Sequence, residues 1–500
     1  MLATMGSAAP ATPPAKAAAS APSSGAPIVI NIDNPSFRKL AFAAPTFFTR
    51  GAPSPAAQKF AKDGPEQLGQ LLQFSGYFNI VAEAAYRELL KKAEDGLSSD
   101  SATALPPSAA AAPSIKTKKG AKKKAPKAQE EPQTFKQGMA GIDLPQWKAV
   151  GVETLTLGEL TEENGLTLSI KTIDIHRGEV IVGKKYTGIA TTDTRRVMRR
   201  YADAVLQAYT GKPGIFNSKL VIVGRKVKSS NKQIYTCDFD GTNVTQLTSA
   251  NVPHLSPEWS KDGRYITYTS YEDKNPDLFI YDSQTGKHRK LSGRPGLNSG
   301  ASWSPNNRVI AFTGSQDGEA ELYLVHPDGS NRRLFIKGDG LDVDPAFSPD
   351  GNSLAFVSGR FGNPHIFVAN LKWDGDEPKV VSDVRLTYAG WYNATPAWSP
   401  DGDKIAFAGY DKDIDRFDIF MVEPKGQNME RLTLKAGDNE SPTWSPNGQL
   451  LMFQSNRAEG GTKGAPQLFI MNRDGSGQRV LDTGLYGVEA PNWSLQFEYD

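Results

Sequence analysis

The chain has 500 residues, and its 57 Lys and Arg against 55 Asp and Glu leave a formal net charge of +2. This near balance argues against a chain whose main partner is a nucleic acid or an anionic membrane surface, and no apolar run approaches the roughly 18 residues that a membrane-spanning helix requires. The single cysteine, Cys237, excludes an internal disulfide framework and a multi-cysteine metal site.

Residues 1–27 form an Ala-, Pro- and Ser-rich tail in which Lys16 is the only charged side chain, a composition typical of a disordered segment. The tail holds no continuous apolar run of the roughly 7–15 residues found in a secretory signal. Three alternatives stay open: a cytoplasmic chain, a start further upstream, and a signal removed before this sequence begins.

A small α/β domain is predicted over residues 28–212. Short apolar runs predict strands at 28–30 and 40–42, and apolar residues at helical spacing predict a helix over 57–74, which Gly64-Pro65 would kink or delay. Period-two alternation predicts three further strands, followed by a basic amphipathic helix. These four segments are residues 152–157, 166–170, 180–182 and 192–209.

Between about residues 96 and 135 the pattern gives way to Ala, Pro, Ser and Lys, and seven lysines fall within 116–127. We expect a solvated, disordered insertion in the α/β domain. The alternative is a polyelectrolyte arm that binds an anionic surface such as lipid head groups or cell-wall polymer. Salt-dependent binding that is lost when residues 114–128 are deleted would favour the arm.

Six aromatic-serine pairs recur in the C-terminal part of the chain, with the aromatic residues 44, 44, 51, 46 and 49 residues apart. A period of about 40–50 residues with four short strands per unit is typical of a β-propeller. Each ring is expected to pack against the neighbouring blade, and a Ser-Pro-Asp-Gly turn joins its strand to the next. The pairs are Trp259-Ser260, Trp303-Ser304, Phe347-Ser348, Trp398-Ser399, Trp444-Ser445 and Trp493-Ser494.

Counting strands predicts a closed ring of six blades over residues 213–500. Residues 219–223, 233–238 and 246–248 supply three strands of a blade that lacks its aromatic-serine strand, and residues 490–494 supply that strand alone. Joining the two ends completes the blade and removes the open edges. The predicted fold class is mainly β, a six-bladed β-propeller with WD-like repeats preceded by a small α/β domain.

Catalytic and metal-binding signatures are missing from the sequence. The segment 178–185 departs from the phosphate-loop pattern, because Lys185 stands where Ser or Thr would hold magnesium and because the segment is typical of a strand. The five histidines are scattered, and no nucleophile-elbow motif occurs. The sequence therefore predicts no enzymatic activity, no metal and no cofactor.

Three stretches resemble the TolB family, the periplasmic component of the Tol–Pal system of Gram-negative bacteria. The most specific is the helix and junction over residues 200–216, ending in Tyr209-Thr210-Gly211 and leading to Ile215-Phe216. The repeat unit at 256–270 and the early helix with its Ser75-Gly76-Tyr77-Phe78 turn over 63–81 also resemble the family. The resemblance covers roughly residues 28–95 and 136–500.

This resemblance implies a non-catalytic periplasmic adaptor that supports envelope integrity and outer-membrane invagination during cell division. Its propeller would bind the peptidoglycan-associated lipoprotein Pal, and peptidoglycan and outer-membrane proteins are further candidates. The protein would be peripheral to membranes, not integral, and would bind no nucleic acid. The segment expected to bind TolA comprises Ile28, Val29, Ile30, Asn31, Ile32 and Asp33.

By position, the resemblance places the Pal-binding surface at the channel mouth, where loops precede the aromatic-serine strands. The alternative for individual residues is that they cap strand ends and hold channel water. Two other functions stay open: a binding module for cell-wall glycan or another ligand, and a propeller-containing hydrolase. The expected surface residues are His254, Ser256, Asn298, Ser299, Asp344, Asn393, Thr395, Glu440 and Glu489.

Overall fold

The computed structural model describes residues 38–90 and 143–499, apart from residues 164, 414, 435–436 and 459–462. The predicted TolA-binding segment Ile28–Asp33, the strand predicted at 28–30 and the lysine-rich stretch at 116–127 therefore lie outside the described residues. Within the described part, the chain forms one mixed sheet with helices, followed by six four-stranded sheets. The mainly β class and the six blades agree with the prediction.

The N-terminal unit is a six-stranded sheet with helices. Its strands are β1 Leu40–Ala43, β2 Phe48–Thr49, β3 Phe78–Ile80, β4 Thr154–Glu162, β5 Leu166–Asp174 and β6 Glu179–Ile189. Its helices are α1 Pro55–Phe74, α2 Leu144–Ala149 and α3 Thr194–Thr210, with a 3-10 turn at Glu83–Ala85. The sheet order is β3-β1-β4-β5-β6, and β2 pairs with β4. The segment that resembles a phosphate loop overlaps β6, a strand, as its apolar pattern indicates.

Helix α1 begins at Pro55 and continues through Pro65, so Gly64-Pro65 does not delay its start. A proline inside a helix leaves the carbonyl four residues earlier without its usual donor. Here that carbonyl, on Ala61, accepts a 3.0 Å hydrogen bond from the backbone N–H of Phe47. A Cβ on Gly64 would lie 2.7 Å from the Phe47 ring, so glycine permits this close approach.

The propeller contains 24 described strands, four in each blade, counted from the channel outward. Blade 1 is β30 Tyr486–Trp493, β7 Lys219–Arg225, β8 Gln233–Asp238 and β9 Thr245–Gln246; blade 2 is β10 His254–Trp259, β11 Tyr265–Ser270, β12 Asp277–Asp282 and β13 Lys287–Ser292; blade 3 is β14 Asn298–Trp303, β15 Ile310–Gly314, β16 Glu321–Val325 and β17 Arg333–Ile336. Blade 4 is β18 Asp342–Phe347, β19 Ser353–Ser358, β20 His365–Asp374 and β21 Glu377–Arg385; blade 5 is β22 Tyr392–Trp398, β23 Ile405–Asp411, β24 Arg416–Val422 and β25 Glu430–Arg431; blade 6 is β26 Asn439–Trp444, β27 Leu450–Arg457, β28 Lys463–Asn472 and β29 Arg479–Leu481.

The ring closes as strand counting predicted. Strand β30 pairs antiparallel with β7, with Trp493 opposite Leu220 and Asn492 opposite Val221. The last strand of the chain is thereby the innermost strand of the first blade. Closure of this kind leaves no strand edge open between the first and last blades.

The serine of each aromatic-serine pair has a structural role in the turn. Its Oγ accepts a hydrogen bond from a backbone N–H at the start of the next strand, over 2.8 Å at Ser260, 3.1 Å at Ser304 and 2.9 Å at Ser494. The same bond forms at the other three serines. A buried N–H without an acceptor is costly, which explains why a small hydroxyl residue recurs at this position.

Hydrogen bonds link every blade to the next around the channel. The side chain just before one aromatic residue accepts from the backbone N–H of the next aromatic: Asn492 from Trp259, Glu258 from Trp303, Ser302 from Phe347, and Thr443 from Trp493. Where that residue is alanine, its carbonyl accepts from the next indole Nε1: Ala346 from Trp398 and Ala397 from Trp444. These six contacts complete the circle.

The two faces of the ring differ in what covers them. We call the face with the Ser-Pro-Asp-Gly turns the lower face, and the opposite face, where the innermost strands begin, the upper face. The N-terminal unit contacts turns of the lower face: Arg199 pairs with Asp238 at 2.6 Å, and Lys212 with Asp401 at 2.6 Å. The upper face receives none of the interdomain ion pairs of the described residues.

Candidate functional site

The innermost strands β10, β14, β18, β22, β26 and β30 surround a central cavity of about 620 Å³. Because side chains alternate along a strand, each of these strands directs part of its residues toward the channel and part toward its own blade. Residues of all six blades line this cavity, which extends from the level of Ser256, Asp344 and Thr395 to Pro305 and Pro400 in turns of the lower face. The upper mouth lies beyond that level, where the innermost strands begin. Propeller channels of this kind are common ligand and partner sites.

A bulge interrupts each innermost strand near the upper mouth, because its pairing with the next strand shifts register there. At each bulge one residue has a left-handed backbone, which costs a non-glycine residue about 1–2 kcal/mol. The six residues are Ser256 (φ 50), Gly300 (φ 60), Asp344 (φ 52), Thr395 (φ 49), Ser441 (φ 52) and Ala490 (φ 46). Strained backbone repeated at one level of a channel points to a functional constraint there.

Three of the predicted residues, Ser256, Asp344 and Thr395, stand at this bulge level and line the cavity. The N–H of Thr395 lies 3.4 Å from Oδ2 of Asp344, across the boundary between blades 5 and 4. Burial raises the pKa of the Asp344 carboxyl, and this N–H opposes the shift. The Oγ1 of Thr395 is buried and has no hydrogen-bond partner in the described part of the chain.

Three others, Ser299, Glu440 and Glu489, lie one residue further toward the upper face. Glu489 pairs with Lys232, and Glu440 accepts a 3.2 Å hydrogen bond from Gln454. Burial raises the pKa of Glu440, while the Gln454 bond lowers it and the nearby carboxylate of Glu489 raises it. Ser299 accepts from a neighbouring threonine hydroxyl at 2.9 Å. This level carries two partly buried carboxyl groups.

The remaining three, His254, Asn298 and Asn393, begin their strands and are buried, with exposures of 0%, 0% and 2%. The Nδ2 of Asn298 donates to the carbonyls of Arg294 (2.7 Å) and Gly296 (3.1 Å), which fixes the loop that enters β14. These residues therefore shape the mouth from below its surface.

Several mouth residues escaped the sequence analysis. Lys232 and Gln454 come from other strands and loops, and Gln454 also accepts from the N–H of Ala490 at 2.8 Å. Glu258 lines the channel, where burial raises its pKa and Lys261 opposes that shift. The bulge itself has a sequence signal, since proline follows the left-handed residue in five of the six strands.

Exposed aromatic side chains add an apolar component to the upper face. Phe361 is 70% exposed, Tyr388 74% and Trp391 50%, and all three stand in loops between strands of blades 4 and 5. Aromatic residues are enriched at protein–protein interfaces. A surface that combines such rings with a polar, charged channel mouth is suited to binding another protein.

No cluster of three or more His, Cys, Asp or Glu side chains is arranged to hold a metal ion in the described part of the chain. In the same residues, no helix is both long enough and apolar enough to cross a bilayer.

Comparison with known proteins places this geometry in a family. The profile described as "TolB beta propeller domain" matches residues 206–497. A protein named "Tol-Pal system protein TolB" from Desulfosudis oleivorans is 31% identical over 252 residues, which span 50% of this chain and 47% of that relative. A "Protein TolB homolog" from Chlorobium chlorochromatii is 37% identical over 152 residues, spanning 30% of this chain and 34% of that relative. The chain thus spans half or less of the length of these relatives.

Among solved structures, the crystal structure of TolB from Acinetobacter baumannii superposes with a TM-score of 0.68 and covers 92% of this chain and 97% of that chain. The two sequences are 22% identical in this alignment, so the likeness supports the fold alone.

Proposed function

Because the chain belongs to the TolB β-propeller family, we propose that it is a non-catalytic periplasmic adaptor of the Tol–Pal system. In this proposal the upper mouth of the propeller binds the lipoprotein Pal, and residues 28–33 bind TolA. The adaptor would thereby support envelope integrity and outer-membrane invagination at division.

The observation that carries the proposal is the upper mouth itself. It combines a channel with left-handed backbone at one level, partly buried carboxyls, and exposed aromatic rings, while the N-terminal unit contacts the lower face. A large open face with polar residues near its centre supports protein binding better than turnover of a small substrate.

The expected role of each predicted residue depends on how deep in the channel it lies. Asp344, Thr395 and Ser256 line the channel and would contact a loop of the partner that enters it. Glu440 and Glu489 are partly buried carboxyl groups one level nearer the upper face, where they would contact the docked partner. His254 and Asn298, which are buried at the strand starts, would act by holding the shape of the mouth.

The test is calorimetric titration of the soluble domain of Pal into the full chain. Asp344→Asn and Glu440→Gln should each weaken binding at least about tenfold, since each removes a partly desolvated charge. Asp376→Asn, in an exposed turn of the lower face, is the matched control and should bind as the wild type does. Absence of binding by the wild-type chain, with binding of a cell-wall glycan instead, would replace this proposal by the glycan-binding alternative.

The TolA contact needs a separate measurement, because residues 28–33 lie outside the described residues. Deletion of residues 28–33 should abolish binding of the TolA domain while calorimetric binding of Pal persists. If TolA binds the deleted chain as well as the intact one, the contact lies elsewhere. The lysine-rich stretch remains a prediction of its own, tested by its salt-dependent binding to anionic surfaces.

A further inference from the structure

Blades 4 and 6 each place an arginine over a pair of neighbouring aromatic rings near the upper face, tilted by 36° in blade 4 and stacked in blade 6. In blade 6 the guanidinium carbon of Arg457 lies 4.4 Å from the centre of the Phe469 ring and 5.5 Å from that of Phe453. In blade 4, Arg360 lies 4.9 Å and 5.5 Å from the equivalent two rings. Each arginine follows the inner phenylalanine of its stack by four residues.

Polar partners hold these guanidinium groups in place. Arg457 donates to Oγ of Ser455 (2.9 Å), Oε1 of Gln478 (2.9 Å) and Oδ1 of Asn439 (2.6 Å). Ser455 is two residues after the inner phenylalanine, and Asn439 on the innermost strand pairs opposite Ser455. In blade 4, Arg360 donates to Oγ of Ser358 (2.8 Å) and to the carboxylates of Asp383 (2.8 Å) and Asp342 (3.3 Å). Both blades therefore hold an arginine fork in a recess on the side of the blade, with a hydroxyl and a side-chain oxygen, which is an amide oxygen in blade 6 and a carboxylate in blade 4.

Blade 5 has the same stack without that arginine. The rings of Phe407 and Phe420 are 5.6 Å apart and stacked, but the position four residues after Phe407 is Asp411, and the position of the serine is Gly409. A cavity of about 400 Å³ lies at this place, lined by these residues and by Trp391 among others. The cavity therefore occupies the position that the guanidinium groups of Arg360 and Arg457 fill in blades 4 and 6.

The polar acceptor of the recess is present and unused. Asn393, which is 2% exposed, pairs opposite Gly409 just as Asn439 pairs opposite Ser455. Its Nδ2 donates to Thr387 and to the carbonyl of Ala389, but none of the described residues donates to its Oδ1. That oxygen faces the cavity, because a Cβ on Gly409 would lie 3.0 Å from it.

A second arginine in the recess, Arg431, does not take this place. Its guanidinium lies 5.7 Å from the Phe420 ring and donates to Asp418 and to the carbonyl of Thr433 (3.2 Å), and its Nη1 lies 3.8 Å from Oδ2 of Asp411. The equivalent residue in blade 4 is Arg385, which likewise donates to a backbone carbonyl beside a stack that Arg360 already covers. Two guanidinium groups therefore fit one recess of this design.

We propose that the blade 5 cavity receives an arginine side chain from a protein docked on the upper face. The guanidinium would lie over the Phe407–Phe420 stack, donate to Oδ1 of Asn393 and share Asp411 with Arg431. The Trp391 ring flanks the cavity and already carries the ammonium of Lys412 at 5.1 Å. Arginine fits better than lysine, because a planar fork can stack and donate in two directions at once. The inference deepens the proposed function and rests on it only for the identity of that protein as Pal.

The first test uses the full chain and N-acetyl-arginine amide as the probe, observed by saturation-transfer NMR. The wild type should transfer saturation to the arginine probe at least about threefold more strongly than to N-acetyl-lysine amide. Asp411→Arg should abolish transfer, because it returns the chain's own guanidinium to the recess. Asp376→Arg makes the same charge change on the lower face and should leave transfer intact. Transfer to N-acetylglucosamine in place of the arginine probe would make the cavity a saccharide site and overturn the inference.

The second test separates this inference from the proposed function. Asp411→Arg should weaken Pal binding at least about tenfold in calorimetry, and Asp376→Arg should not. If wild type and Asp411→Arg bind Pal equally well, the adaptor function stands and the arginine receptor is wrong. If neither the wild type nor the variants bind Pal, but the wild type still binds the arginine probe, the proposed function fails and the arginine site stands. Unchanged circular-dichroism melting of Asp411→Arg establishes that the variant is folded.

Discussion

The indole Nε1 of Trp493 donates a 2.7 Å hydrogen bond to the hydroxyl of Ser218, 275 residues earlier in the chain. Trp493 stands at the end of the last strand, and Ser218 directly precedes the first strand of the propeller. Both residues are buried, with exposures of 6% and 1%. This side-chain bond therefore joins the first and last strands of the propeller inside one blade, beside the pairing of β30 with β7.

Replacement of Trp493 should open the ring at its weakest point. Trp493→Ala should lower the free energy of unfolding by about 3–5 kcal/mol, and Trp493→Phe by about 1–2 kcal/mol, since phenylalanine keeps the ring packing and loses the bond. Urea denaturation followed by circular dichroism measures both. Trp391→Phe, at a half-exposed tryptophan, is the control; an equal loss there would mean that the seam has no special role.

The turn serines give a second prediction. Ser304 is 0% exposed, and its Oγ accepts the N–H of Val309 at 3.1 Å. Ser304→Ala leaves that buried N–H without an acceptor and should lower the free energy of unfolding by about 1–3 kcal/mol. Ser229→Ala, at an exposed serine, should change it by less than about 0.5 kcal/mol. A Ser304→Ala variant as stable as the wild type would show that another group or water takes over the N–H.

The ring could be predicted from the sequence because each aromatic-serine pair identifies one strand. Six pairs and one incomplete set of strands at each end define both the number of blades and the seam at Trp493. The pairs also indicate burial of the aromatic ring. They do not show what accepts its N–H, because the acceptor stands in the preceding blade, as Thr443 does for Trp493.

The candidate site was harder to predict, because residue type alone does not show whether a residue at the start of an innermost strand is buried or lines the channel. Asn298 and Asn393 occupy equivalent sequence positions, but Oδ1 of Asn298 accepts from a serine hydroxyl at 2.7 Å, whereas none of the described residues donates to Oδ1 of Asn393. Both asparagines pair opposite a glycine, but Ser292 donates to Oδ1 of Asn298, whereas Thr387 accepts from Nδ2 of Asn393. Only the pairing of the strands brings Asn393 and Gly409 together.

The arginine recess of blade 6 offers a test of the energetics inferred for blade 5. Arg457→Ala removes three hydrogen bonds and a cation–π contact, and should lower the free energy of unfolding by about 2–4 kcal/mol. Methylguanidine at millimolar concentration should restore part of that stability, since it can reoccupy the vacated recess. Methylammonium at equal concentration is the control. Equal effects of the two cations would show that the recess does not select a guanidinium.

Asp203 of α3 forms a contact between the N-terminal unit and the last residues of the chain, and we expect the stability of this contact to depend on pH. Its carboxylate accepts from the N–H of Phe216 (3.0 Å), from Gln496 (2.7 Å) and from the hydroxyl of Tyr499. Burial raises the pKa of Asp203 from 3.8 to about 6, although these hydrogen bonds oppose the shift. The folded chain therefore holds this proton more tightly than the unfolded chain does.

The sign of the effect follows from linkage. A raised folded-state pKa contributes stability that is fully present below pH 3.8, the unfolded value, and is lost as the pH rises through about 6. The loss for this one group is about 3 kcal/mol at most. The Asp203→Asn side chain cannot ionise. The free energy of unfolding of the wild type, minus that of this variant, should therefore decrease from pH 4 to pH 7. Urea denaturation at each pH measures both values. Asp376→Asn, at an exposed aspartate, should leave the wild-type pH profile unchanged. If the difference in free energy of unfolding between wild type and Asp203→Asn stays constant across this range, Asp203 is already ionised at pH 4 and this contact does not respond to pH.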